Sequence, residues 1–307
     1  MSKSATLSPI TAGFLFAIGS AALFAIRPIF VKLVYIQGVD STTLIAFRML
    51  FSMPFYLILL AWLLRDPVRR ATLNLKNILA ISAVGLCGYY AASFLDLIGL
   101  QYVTAQLGRM MLYTYPTFVV LLGAMFFGEP ITKRVGISLC ITYLGVAIIF
   151  GHDLEVFGRD VITGGFFILS SALTFSFYLL FGKSLINDVG SRLFTCLALL
   201  AASLGILLHY TLTKSLSTPN VTETALIYIL IIAIFCTVIP SFLTTSAVAR
   251  IGADKTGIVA MIGPAFTSTF AVLILAEEFT AYHALGISIT VFGIWVLSGR
   301  TKVVADS

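Results

Sequence analysis

The chain has 307 residues, of which 59% are hydrophobic and only 10% charged, with a formal net charge of +6. A soluble domain carries roughly 25% charged residues, so this chain lacks the polar side chains needed to wrap a water-soluble particle of its size. That excludes a soluble enzyme or a nucleic-acid-binding module and points to lipid as the solvent.

A hydrocarbon core ~30 Å thick takes about 20 apolar residues per helical span. In chain order such runs lie near 11–35, 43–64, 78–99, 103–127, 135–151, 161–183, 193–213, 224–248, 255–276 and 282–299. The expectation is an all-α membrane protein with ten transmembrane helices. The first run exceeds a usual signal-peptide core and has only Lys3 before it, so it reads as a span. The longest polar interruptions, 65–77, 151–160 and 214–223, are too short to fold as a separate domain.

Charge placement sets the predicted orientation. With the N-terminus inside, Lys3, Arg65, Arg69, Arg70, Lys76, Lys133, Arg134, Lys183, Arg192, Arg250, Lys255, Arg300 and Lys302 all fall on the cytoplasmic side. The opposite side receives Lys32, Arg159 and Lys214, together with the acidic Asp153, Glu155, Asp160, Glu277 and Glu278. This is the positive-inside pattern of a multi-pass inner (plasma) membrane protein with both termini cytoplasmic.

The sequence also repeats itself. An offset of 148 lays Pro116 on Pro264, Phe118 on Phe266, Glu129 on Glu277, Thr132 on Thr280 and Gly145 on Gly293. An offset of 151 lays Gly13 on Gly164, Phe24 on Phe175 and Lys32 on Lys183. The predicted organisation is two five-helix repeats, 11–151 and 161–299. Five is odd, so the second repeat enters from the opposite face, giving inverted repeats about an axis in the membrane plane.

Ten spans in two repeats, with Tyr-Pro-Thr at 115–117 followed by Gly-Glu-Pro at 128–130, resemble the drug/metabolite transporter superfamily and its EamA-type branch. The stretches IFVKLVY at 29–35, AFRML at 46–50 and FLDLIGLQY at 94–102 are similar to a bacterial subgroup of that branch. The resemblance implies a carrier of small metabolites, a class ranging from amino acids to nucleotide sugars and sugar phosphates. Two positions depart from the subgroup's pattern. Arg27 stands where a lysine is usual, and Gly108 stands where an acidic residue often precedes the arginine, which removes a carboxylate beside Arg109.

An ionisable group deep in a span costs at least ~2.5–3.5 kcal/mol and should face protein or water. Arg27, Arg48, Asp96 and Arg109 qualify. Asp96 and Arg109 flank the short turn around Gln101, so they are expected to pair, with Asp96 orienting Arg109 for a structural or a transport role. Arg27 and Arg48 have no evident acidic partner, which leaves a net positive interior suited to an anion or an amino-acid carboxylate. For Arg48 the alternative is to snorkel to the surface. Tyr113, one turn beyond Arg109, and Tyr115 complete the expected substrate-binding wall, or else serve as packing. Lys32 and Lys183 are expected as interfacial anchors or gate contacts. Pro116 and Pro264, each removing a backbone donor, are expected as hinges or as packing shape.

Cys87, Cys140, Cys196 and Cys236 fall inside spans without CxxC spacing, and His152, His209 and His283 are scattered, so no metal site is expected. There is no GxxxxGK[ST] loop to supply an ATPase, and no cofactor is expected. The expected partners are a small-molecule substrate, the lipid bilayer, protons or a counter-substrate, and a second copy in a homodimer; nucleic acid is not. The functional expectation is a secondary transporter that exports a small organic metabolite by alternating access. A filled helical bundle would instead mark a non-transporting scaffold or sensor.

Overall fold

The computed structural model describes residues 8–128, 130–214 and 221–298, without the side chains of Thr245, Ala253, Asp254, Leu297 and Ser298. Lys3, Glu129, Arg300 and Lys302 lie outside the described residues, as does the last position of the expected second repeat. The described residues are helical almost throughout. The long rods are α1 (Pro9–Ile36), α2 (Ser41–Leu63), α3 (Leu75–Gly99), α4 (Ala105–Phe127), α5 (Lys133–Phe157), α6 (Asp160–Val189), α7 (Ser191–Thr213), α8 (Glu223–Ile251) and α9 (Lys255–Leu275). A shorter tenth, α10 (Ala281–Ser298), packs along α5. The nine long rods have the length and apolar content to cross a bilayer.

Several rods start at capping residues that take up orphan amide groups. Asp40 accepts from the Thr42 and Thr43 amides, Asn74 from Asn77, Thr104 from Leu107, Thr132 from Val135 and Thr222 from Ala225. One expectation needs correcting. The polar stretch 151–160 is not mainly loop, because α5 runs on to Phe157 and the chain reverses at Gly158 with φ +78°. Its polar residues are tolerated in helix because Asp153 is fully buried and accepts the Thr104 hydroxyl.

Five rods are interrupted. α1 breaks at Ile26, just ahead of Pro28. α4 breaks at Tyr113–Thr114, ahead of Pro116, and α9 at Met261–Ile262, ahead of Pro264. Proline cannot donate to the preceding turn, which accounts for all three. α3 widens to a π-turn at Leu86–Ala91, and α8 does so at Ile234–Val238.

The offset of 148 read from the sequence carries the break in α4 onto that in α9, and the π-turn in α3 onto that in α8. It also carries Gly128, left-handed at φ 65°, onto Ala276, the one positive-φ non-glycine residue among the described residues, at φ 54°. Packing follows the same exchange: α5 lies on α10 and α2 on α7, while α1 against α8 mirrors α6 against α3. Small residues make these approaches close, as expected where lipid removes any hydrophobic force between helices. At the α5–α10 crossing, Ser138 Oγ donates to the Gly293 carbonyl at 2.5 Å and Thr290 Oγ1 to the Thr142 carbonyl at 3.4 Å. A Cβ added to Gly293 would stand 2.7 Å from the Thr142 amide nitrogen.

Candidate functional site

The broken helices surround a cavity of ≈ 860 Å³ between the two halves of the chain. Its deepest lining residues are Arg27, Asp96 and Arg109, and it runs from there toward the end of the bundle where α1 begins, past Val120, Leu179 and Thr256. Beyond the charged layer the other end is packed. Ile29, Ala105 and Ala271 form a buried apolar plug there with Ile26, Phe270 and Leu275. Glu277 seals it further by accepting from the Ala105 amide at 2.8 Å, at the start of α4.

The central ion pair differs from the one expected. Asp96, at 5% side-chain exposure, bonds the Arg27 guanidinium, so Arg27 does have an acidic partner. Arg109 does not reach Asp96. It extends along its own helix over the ring of Tyr113, 5.0 Å from the centroid, and its Nε is buried without a hydrogen-bond partner. Asp96 therefore neutralises Arg27 rather than orienting Arg109, because the turn at Gln101 leaves Arg109 a further turn down the opposing helix. Arg109 is left as a cation whose electrostatic demand is unmet by any acid bonded to it.

Arg48 does not snorkel. It is 2% exposed, with its Nε lacking a hydrogen-bond partner, and it interacts electrostatically with Arg27 and Asp96. It supports the charged layer from behind and is not one of the cavity's lining residues. Among the described residues, the charged layer around the cavity thus holds three guanidiniums, Arg27, Arg48 and Arg109, against the one carboxylate of Asp96.

Tyr113 and Tyr115 line the cavity. The Tyr113 hydroxyl donates to the Ala260 carbonyl at 2.8 Å, tying the break of α4 to that of α9. Tyr115 stands edge-on to Phe175 at 5.4 Å, which extends an aromatic wall onto α6. On the other side, the Ser20 and Thr244 hydroxyls meet at 2.6 Å between α1 and α8. Pro116 borders the cavity, whereas Pro264 is buried behind it. Lys183 is exposed; its repeat partner Lys32 is partly buried and interacts with Glu277 and Asp153.

Sequence reasoning missed the α9 segment around Thr256, Gly257 and Met261, which forms one cavity wall. The offset of 148 sets that segment opposite Gly108–Tyr113 and was the signal available for finding it. The histidines also hold a surprise. His152 and His283, one in each half, both approach the buried carboxylate of Asp153.

Outside the spans, Asp40 bonds Lys214 at 3.0 Å, which joins the start of α2 to the end of α7. Partial burial alone would raise the Asp40 pKa, but hydrogen bonds from Lys214 and Thr43 outweigh it and hold the carboxyl below its usual range.

The model of the EamA-like transporter family matches residues 11–151 and again 162–299. The chain is similar to the uncharacterized transporter YcbK of Bacillus subtilis (strain 168), 28% identical over 289 residues, with 90% of this chain and 89% of the relative covered. An uncharacterized transporter of Vibrio cholerae serotype O1 is 27% identical over 280 residues, covering 89% of this chain and 87% of the relative. One of Archaeoglobus fulgidus is 25% identical over 282 residues, covering 89% and 92%. A solved crystal structure superposes with a TM-score of 0.65 over 94% of this chain and 97% of its own, at 16% identity, a likeness of fold alone. With two family-length matches covering nearly the whole chain, this multi-pass helical membrane protein belongs to the EamA-like transporter family.

Proposed function

We propose that the chain is a secondary carrier of a small organic anion or amino acid, working in the inner membrane by alternating access and acting as an exporter. The observation that carries this reading is Arg109, a guanidinium without a bonded acid at the floor of a ≈ 860 Å³ cavity. Arg27 and Asp96 cancel each other, so the unmatched charge in the lining is positive and suits a carboxylate held by a guanidinium fork. The aromatic wall of Tyr113, Tyr115 and Phe175 offers apolar surface to the rest of a small organic molecule. A filled bundle, the mark of a scaffold or sensor, is not what these residues form.

Matched helix breaks and exchanged packing partners support a reading of two inverted repeats, 11–151 and 161–299, that rock about a central site. Pro116 and Pro264 act as hinges in that scheme. With both termini cytoplasmic, the cavity faces the cytoplasm, where an exporter loads its substrate. Exchange against a counter-substrate or a proton gradient drives the cycle.

The test is counterflow. Purified protein in liposomes preloaded with unlabelled amino acids and organic acids takes up the labelled compound it carries, and Arg109→Ala abolishes that uptake. Uptake that survives in Arg109→Ala removes Arg109 from the path. Silence across the panel by a folded wild type refutes the anionic and amino-acid substrate class.

A further inference from the structure

At the packed end of the bundle, away from the cavity, two imidazoles and a carboxylate from the tips of α5 and α10 meet. The geometry points to a binding site for a transition-metal dication of the zinc type, formed by His152, Asp153 and His283. Asp153 Oδ1 lies 3.4 Å from His152 Nδ1 and 3.5 Å from His283 Nε2, and the three donor atoms lie within 4.8 Å of one another. A tetrahedral cation with bonds of ~2.0–2.1 Å spaces neighbouring donors about 3.3–3.4 Å apart. Two of the three edges therefore already have the required length, and binding closes the third.

The surroundings suit that role. Asp153 has no exposed side chain, and its other oxygen, Oδ2, is occupied by the Thr104 hydroxyl at 2.8 Å, which orients Oδ1 toward the imidazoles. His283, with 3% side-chain exposure, has a buried Nε2 with no hydrogen-bond partner. That atom is a polar group inside protein still lacking the partner a cation would supply. On the ring's far side, Nδ1 lies 2.9 Å from Thr280 Oγ1, which accepts its proton in the tautomer that frees Nε2 for a metal. The Thr280 amide, 3.3 Å from the same Nδ1, favours the other tautomer, so uptake includes a tautomer exchange. The His152 side chain is 14% exposed, so the site has one edge in contact with solvent. Two nitrogen donors and one oxygen select zinc-type ions over magnesium or calcium, which prefer oxygen.

Lys32 works against the cation. It interacts with Asp153 and Glu277 from α1, and its charge weakens attraction for a dication. A bound ion ties α5 to α10 directly and, through Asp153 and Thr104, to the start of α4. The site is thus a clamp on the closed end of the bundle, and it stands whether or not the cavity carries anions.

The experiment is a titration of chelator-washed protein in detergent, using Zn²⁺ by calorimetry and Co²⁺ by visible absorption. Wild type is expected to take up one equivalent with the intense absorption of tetrahedral Co²⁺. His152→Ala and His283→Ala should each weaken binding at least tenfold, and Lys32→Ala should tighten it. Absence of saturable binding to wild type overturns the proposal, as does unchanged binding in the two histidine variants. Should a variant not fold, wild type alone decides through Mg²⁺: uptake equal to that of Zn²⁺ marks a carboxylate surface site and overturns the imidazole site.

Discussion

Removing Asp96 should destabilise the protein more than removing its partner Arg27. Two unit charges ~4 Å apart attract by roughly 4 kcal/mol at an effective dielectric of 20, and stranding one member of a buried pair costs about 3–5 kcal/mol. The Arg27 side chain is 18% exposed through the cavity, so water recovers part of its solvation, and the low end applies. Asp96→Asn leaves Arg27 facing Arg48 with no carboxylate between them, at a cost of about 3 kcal/mol. Arg27→Gln leaves Asp96 beside Arg48, which still offers a positive charge, so about 2 kcal/mol is expected. The double variant strands no charge and should cost only about 1 kcal/mol. Unfolding each variant in mixed micelles of rising SDS fraction measures the three values and their coupling. If all three unfold at one SDS fraction, or if the double variant is the worst, the charged layer is not held by this pair.

Three further outcomes are expected. Ala276→Gly should stabilise by about 0.4–1 kcal/mol in the same assay, since it relieves a left-handed alanine at the position that glycine holds in the first half. Gly293→Ala should cost about 1–3 kcal/mol, because its Cβ meets the Thr142 backbone, which no rotamer change can move aside. The Asp40–Lys214 contact, about half exposed, should contribute only about 0.2–1 kcal/mol. Because the folded Asp40 carboxyl is more acidic than its usual value near 3.8, that contribution is complete above about pH 4 and disappears as pH falls through the lower folded value. Asp40→Asn should therefore lower thermal stability slightly at neutral pH, with the difference from wild type shrinking under acid.

Span positions were legible in the sequence because hydrocarbon thickness dictates run length, and matched Pro and Gly residues exposed the internal offset. The helix ends near Phe157 and Val189 were not, since polar residues there stay helical once tertiary partners such as Thr104 satisfy Asp153. Arg27, Asp96, Arg109, Tyr113 and Tyr115 were chosen because charge in a span and an aromatic neighbour mark protein-facing surface, and all five line the cavity. Their pairing was not legible. Which arginine meets Asp96 depends on the break at Ile26 and on rotamers, neither of which leaves a trace in spacing. The meeting of His152 with His283 was equally hidden, since it needs the crossing of α5 and α10 to be known first.

The two halves match in geometry but not in chemistry. Arg27, Asp96 and Arg109 all come from the first half, while the second half lines the cavity with hydroxyls and apolar groups such as Ser171, Thr244 and Thr256. In the proposed carrier, a solute gripped by Arg109 stays with one half throughout the cycle, and the neutral half slides past it. The moving partner then meets no fixed charge and forms no ionic bond that must be broken to release it. One half acts as the hand that holds the cargo and the other as a smooth sleeve, so sequence change in the sleeve tunes access and speed while change in the hand alters what is carried.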